Sequence, residues 1–171
     1  EFHVIGNNYS FRQLLKAELE KHGLEVVNLQ SFESDDVVAL ITKIKQLFAD
    51  NAQNPSCPII LSGGEVPIRV TGDGKGGRCT HLALSLAPYL EQCKGALFVT
   101  YATDGSDNLY GVAGAWVDAY TANKLQDKGI DIDQALQNSD SYTALNAIGQ
   151  VLKTGEFHAN INDVYIVSPC S

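Results

Sequence analysis

The chain has 171 residues, 44% of them apolar and 19% charged, the profile of one folded domain rather than a disordered tail, a collagen-like rod or a disulfide-stapled peptide. Twelve basic against twenty acidic side chains leave a formal charge of -8, the wrong sign for a phosphate-backbone binder, so nucleic acid is not an expected partner. No apolar stretch approaches the length of a membrane span, so no membrane partner is expected either.

In chain order, residues 3–5 form a short apolar run ending in Gly6-Asn7-Asn8. Ser10 then caps a helix with Leu14, Leu15 and Leu19 at helix spacing, closed by Gly23. Residues 25–29 read as the next strand. Ser34-Asp35-Asp36 open a second helix to about Phe48, whose inner stripe is Val37, Leu40, Ile41, Ile44 and Phe48. A polar loop follows, and residues 58–61 read as a short buried strand. Ser62-Gly63-Gly64-Glu65 reads as a tight turn and residues 66–70 as the returning arm of a hairpin, which makes the sheet mixed.

Residues 72–77 are a glycine-rich loop and 81–93 an amphipathic helix. Residues 96–101 form a strand, and 103–107 the loop at its carboxyl end. Helices are expected at about 113–128, 133–137 and 139–152, and a last strand at 163–167. This alternation predicts one α/β domain over residues 1–171, three-layered and Rossmann-like, with a mixed, mostly parallel sheet and helices on both faces.

In such a fold ligands sit outside the carboxyl ends of the strands, where loops 6–8, 62–65 and 103–107 gather beside the glycine-rich loop. Glycines in the run Gly72-Asp73-Gly74-Lys75-Gly76-Gly77-Arg78 let main-chain N–H groups approach an anion, and the following helix start adds partial positive charge. Lys75 and Arg78 add formal charge, Arg78 as a fork suited to phosphate or carboxylate. The plainer alternative is a flexible loop with solvated charges. The same run matches G-x-G-x-x-G, but the strand before it is a hairpin arm, and no acidic ribose partner stands about 20 residues on. A Walker A loop is absent.

Cys79, at the helix start beside Arg78, is either an activated thiol or a small packing residue. The four histidines lack metal-ligand spacing, and no residue is assigned to a metal. Asp104 and Asp107 flank Gly105 and Ser106 after a buried strand, a place to hold Mg²⁺ or accept a hydroxyl proton, with Glu65 able to join them. Asp107 reads equally well as the cap of a following helix. Residues 138–141 read as a helix cap and 160–163 as a turn into the last strand.

Four cysteines without C-x-x-C spacing, and no secretory signal at the start, predict reduced thiols and a cytoplasmic location, although a pair meeting in space is open. The lack of any methionine points to an excised or processed piece.

The ordered motifs Ser62-Gly63-Gly64-Glu65, Gly74-Lys75-Gly76-Gly77-Arg78, Thr103-Asp104-Gly105, Ala113-Gly114-Ala115, Asp140-Ser141-Tyr142 and Asn160-Ile161-Asn162-Asp163 resemble the C-terminal MOFRL domain of the ATP-dependent glycerate 2-kinases, once named hydroxypyruvate reductases. The opening residues 3–8 resemble the segment before that domain, so the likeness covers nearly the whole chain. It implies phosphoryl transfer from ATP to D-glycerate with Mg²⁺, in a cleft shared with an N-terminal kinase domain, the chain alone being inactive. By the same likeness Arg78 faces the cleft and binds phosphate or the glycerate carboxylate, and it is expected to be catalytic together with Asp104, which lies closest to its strand end. Ser62, Gly63, Gly64, Glu65, Lys75, Gly76, Gly77, Thr103, Gly105 and Asp107 then bind substrate or phosphate. The chain departs from the family pattern at Cys79, His81, Gly111 and His158. Two other readings stand beside the kinase: a non-catalytic relative binding a small anion, a protein partner or a second copy of itself, and a nicotinamide-dependent hydroxypyruvate reductase. An excised half is expected to expose a face around Tyr110 and Trp116.

Overall fold

The computed structural model describes residues 6–32, 36–155, 157 and 159–169. The apolar run at 3–5, Ser34, Asp35, His158 and Cys170 lie outside the described residues.

Helix α1 (Asn8–Lys21) starts in a capping box: Asn7 Oδ1 accepts from Ser10 N–H at 2.8 Å, and Ser10 Oγ accepts from Asn7 N–H at 2.8 Å. It ends before Gly23, whose φ of +80° suits glycine. The expected leucine stripe faces inward only in part: Leu15 and Leu19 are half-buried, while Leu14 is 72% exposed. Arg12 is instead the buried side chain of α1. Its guanidinium donates to Asn8 Oδ1 at 2.7 Å, Leu29 O at 2.5 Å, Ser31 Oγ at 3.0 Å and Asn28 Oδ1. Those acceptors offset the desolvation of a buried charge.

Strand β1 (Val26–Asn28) leads to helix α2 (Val37–Asn51), capped by Asp36 Oδ1 on Val38 N–H at 2.8 Å. Leu40, Ile44 and Phe48 recur at helical spacing and are buried. Strand β2 (Ile59–Gly64) takes in Ser62, Gly63 and Gly64, which the sequence assigned to a turn. Residues 66–70 form no strand but the start of an irregular stretch to Gly77, so the expected hairpin is absent.

Helix α3 (Arg78–Leu90) and strand β3 (Leu97–Ala102) follow. The helix expected at 113–128 is strand β4 (Val112–Asp118) and then the short helix α4 (Thr121–Asp127). Val112, Ala113, Gly114 and Ala115 are all buried, and a run buried on both faces carries no period that separates strand from helix. Gly114 lies so close to the Thr100 carbonyl that no Cβ fits between them. Helices α5 (Ile132–Gln137) and α6 (Ser141–Ala147) come next. Gly149, with φ of +72°, then turns the chain into strand β5 (Val151–Lys153), where the sequence had continued the helix. Strand β6 (Asp163–Ser168) closes the fold.

The six-stranded sheet has the order β1-β2-β6-β3-β4-β5. Only β1 and β2 pair in parallel, and the remaining pairings are antiparallel, correcting the mostly parallel expectation. The reason is topological: β4 returns directly from β3, and β6 inserts between β2 and β3 against the direction of both. Helices do occupy both faces. Ile60, Tyr165, Val167, Phe98, Ala115 and Val117 share a core with α2 and α3, while α1 packs over Gly63 on the opposite face. Helices α4, α5 and α6 pack against α3.

No helix among the described residues is long and apolar enough to cross a membrane. Cys57 is disulfide-bonded, whereas Cys79 and Cys93 are free thiols. This corrects the expectation of reduced thiols throughout and removes that argument for a cytoplasmic location. Pairing depends on proximity in space, which linear spacing does not encode.

Candidate functional site

The site forms where β2 and β3 end and β6 begins. Because β6 is antiparallel to both, Asp163 stands opposite Gly64 and opposite Ala102, beside Glu65 and Asp104. Helix α3 starts at the same place and contributes Arg78 as its first residue.

Arg78 is held on two edges. Its Nε donates to Asp163 Oδ2 at 3.2 Å and Nη2 to Asp163 Oδ1 at 3.3 Å, while Nη1 lies 3.0 Å from Glu65 Oε1. The Asp163 side chain is 3% exposed, that of Arg78 35% and that of Glu65 42%. Burial works against the Arg78 charge, but the hydrogen bonds and charge of Asp163, with the charge of Glu65, outweigh it and raise its pKa above the ordinary value. Burial pushes the Asp163 carboxyl up and Arg78 pulls it back. With Asp107 and Glu65 adding like charge, it rests at about 6.

A cavity of about 200 Å³ opens beside Arg78, lined by Glu65, Asp104, Ser106, Asp107, Asn108 and Asn160. Asp104 Oδ1 accepts from Ser106 N–H at 3.0 Å and Oδ2 from the Asn160 amide at 3.2 Å. On its other side Arg78 borders a less polar groove with Pro67, Ile68 and Val70.

The amino end of α3 does meet an anion, but one supplied by the chain itself. Asp107 Oδ1 accepts from Cys79 N–H at 2.9 Å and Oδ2 from Thr80 N–H at 2.8 Å. Asp107 is buried and caps α3, not the following segment, which is β4. The glycines serve the same packing. A Cβ on Gly77 would strike Asp107, and one on Gly74 would meet Asn138 O at 2.5 Å. Loop N–H groups also turn inward, Gly74 N–H to Asn138 O at 2.9 Å and Lys75 N–H to Asp140 Oδ1 at 2.8 Å.

The structure thus gathers Arg78, Glu65, Asp104 and Asp107 as the sequence grouped them. It takes others away from the cavity. Ser62 is buried, its hydroxyl donating to Gln30 O at 2.9 Å. Gly63 lies against Asn8, and Gly64 against the Phe32 carbonyl. Thr103 Oγ1 donates to Asn162 O at 2.9 Å and lines a separate apolar groove with Phe11, Tyr101, Phe157 and Ile161. A Cβ on Gly105 would strike the Gly155 carbonyl. Lys75 and Gly76 flank residues 138–142 through Tyr142 N–H to Lys75 O and the Ser141 hydroxyl.

Cys79 is fully buried, and burial with Asp163 and Asp107 nearby pushes its thiol well above the ordinary range, which overturns the activated-thiol alternative. His81 is lowered by burial, and no metal-binding group of three or more His, Cys, Asp or Glu occurs among the described residues. Tyr110 is exposed as expected, but Trp116 is half-buried under the Lys124 ammonium, 5.6 Å from the ring centroid.

Asp163 and Asn160 are not recognisable as site residues from the sequence, where 160–163 reads as a turn into the last strand. The signal present was a carboxylate opening a buried strand.

Residues 58–163 match the model of the MOFRL family. The D-glycerate 2-kinase of Thermotoga maritima is 35% identical over 172 residues, covering 97% of this chain and 41% of that protein. The glycerate 2-kinase of Pyrococcus horikoshii is 36% identical over 136 residues, covering 78% and 31%. The crystal structure of the glycerate kinase from Thermotoga maritima superposes with a TM-score of 0.90 at 32% identity, covering 98% of this chain and 42% of that one. The chain therefore spans about two fifths of the length of these kinases.

Proposed function

The chain belongs to the MOFRL family, and from that membership we propose that it is the portion of a glycerate 2-kinase that offers an anion-recognising arginine to the cleft where ATP phosphorylates D-glycerate. The observation that carries this reading is the state of Arg78. Buried Asp163 fixes its inner edge, and its outer edge faces a polar cavity through one half-exposed carboxylate. Phosphoryl transfer relies on positioning and on neutralising oxyanion charge, and a guanidinium whose plane is set by a bidentate carboxylate is oriented before the ligand arrives.

In this reading Arg78 binds the glycerate carboxylate or a phosphoryl oxygen, and Asp104, Asn108 and Asn160 line the seat. Asp107 serves by holding the start of α3 in place. ATP and Mg²⁺ are supplied elsewhere in the cleft. Asp104 and Asp107 already accept from this chain's own donors, and no metal-binding group occurs among the described residues, so this donor set does not fit a Mg²⁺ site by itself. The nicotinamide reading loses its main support, because the glycine run follows an irregular stretch rather than the strand that a dinucleotide turn requires.

A chimera tests the proposal. This chain replaces the corresponding two fifths of the Thermotoga maritima D-glycerate 2-kinase, and ATP-dependent phosphorylation of D-glycerate is measured. Turnover supports the kinase reading. A folded chimera, by circular dichroism, without turnover overturns it in favour of a non-catalytic domain.

A further inference from the structure

Arg78 is bound by two carboxylates of very different standing. Asp163 is almost wholly buried, sits at the start of a paired strand and takes both Nε and Nη2. Glu65 is half-exposed, touches only Nη1 and begins the irregular stretch after β2. Exposed ion pairs are weak and readily exchanged, whereas one with a buried partner is costly to break.

A guanidinium carries five N–H donors. With Asp163 on the Nε side, the edge left for a second oxyanion is the Nη1–Nη2 fork, which receives two oxygens side by side. Glu65 Oε1 lies 3.0 Å from Nη1, one end of that edge, as an ion pair without the donor alignment of the Asp163 contacts. The cavity it faces also holds Asp104 and Asp107, so an anion entering with Glu65 in place would add charge of the same sign. An anion that displaces Glu65 instead exchanges one charge for another.

Resting on the proposed role of Arg78, we propose that Glu65 is a displaceable stand-in for the ligand's oxyanion. It pairs with the Nη1 end of the outer fork of Arg78 and swings out when a carboxylate or phosphate takes both nitrogens. Glu65 thereby sets specificity. A ligand must offer two oxygens to the fork to compete with it, which a halide cannot do.

The test is calorimetric titration of the chain with inorganic phosphate and, separately, D-glycerate, with chloride as control, for wild type, Glu65→Gln, Glu65→Ala and Arg78→Ala. Thermal melts confirm that each variant is folded. Both Glu65 variants are expected to bind phosphate, glycerate or both at least fivefold more tightly than wild type, and the ligand that gains names the end that Arg78 takes. Arg78→Ala is expected to lose at least tenfold. If Arg78→Ala loses binding while the Glu65 variants bind no better than wild type, the displacement proposal is overturned and the arginine site stands. If neither ligand binds wild type or a Glu65 variant, or Arg78→Ala binds as well as wild type, the arginine site itself fails.

Discussion

Asp107 caps helix α3 from 28 residues downstream, each carboxylate oxygen taking one N–H, that of Cys79 at 2.9 Å and that of Thr80 at 2.8 Å. A helix start preceded by glycines attracts an anion, and here the fold supplies it internally. Asp107→Ala removes the cap and leaves two buried donors unmet, an expected loss of about 3 kcal/mol from cap and desolvation magnitudes. Urea unfolding reads it, and Gly77→Ala should also destabilise because its Cβ would strike the same carboxylate. An Asp107→Ala protein as stable as wild type would show that the cap carries no weight.

Asp163 gives the stability a definite dependence on pH. Its native pKa of about 6 lies above the ordinary 3.8, so between those values the folded state keeps a proton that the unfolded chain has released. Its contribution is full below about pH 4 and is lost as the pH rises through about 6, on the order of 3 kcal/mol for a shift of roughly two units. Asp163→Asn cannot titrate. The stability of wild type relative to this variant should therefore fall from about pH 4 to about pH 7 in urea titrations. A difference that stays flat or rises would contradict the raised pKa.

The buried Cys79 thiol should be silent toward iodoacetamide in the folded chain and react once the chain is denatured, as peptide mapping reads directly. Cys57 should stay blocked until a reductant is added. Rapid native labelling of Cys79 would mean that α3 opens far more readily than its packing implies.

The sequence and the structure agree best where one periodicity dominates. Leu40, Ile44 and Phe48 mark α2 plainly, and the alternating burial of β3 follows its apolar run. They part where burial is two-sided or pairing is non-local. Val112 to Ala115 is buried throughout, so its small residues read as helix until Gly114 is seen against Thr100. Sheet direction was illegible because nothing local says that β6 inserts between β2 and β3. That same insertion carries Asp163 to the site. Arg78, Glu65 and Asp104 were legible as a group from chemistry and resemblance. Asp163, the buried carboxylate that fixes Arg78, was not, since a charge-rich loop looks cationic until a partner from a distant strand is placed beside it.

In the proposed function Arg78 is the group that recognises the substrate's oxyanion. The direct measurement is kcat/KM for D-glycerate in the chimeric kinase with Arg78 and with Arg78→Ala. A drop of at least tenfold, about 1.4 kcal/mol of lost transition-state stabilisation, is predicted. An unchanged kcat/KM in a folded Arg78→Ala chimera would contradict it.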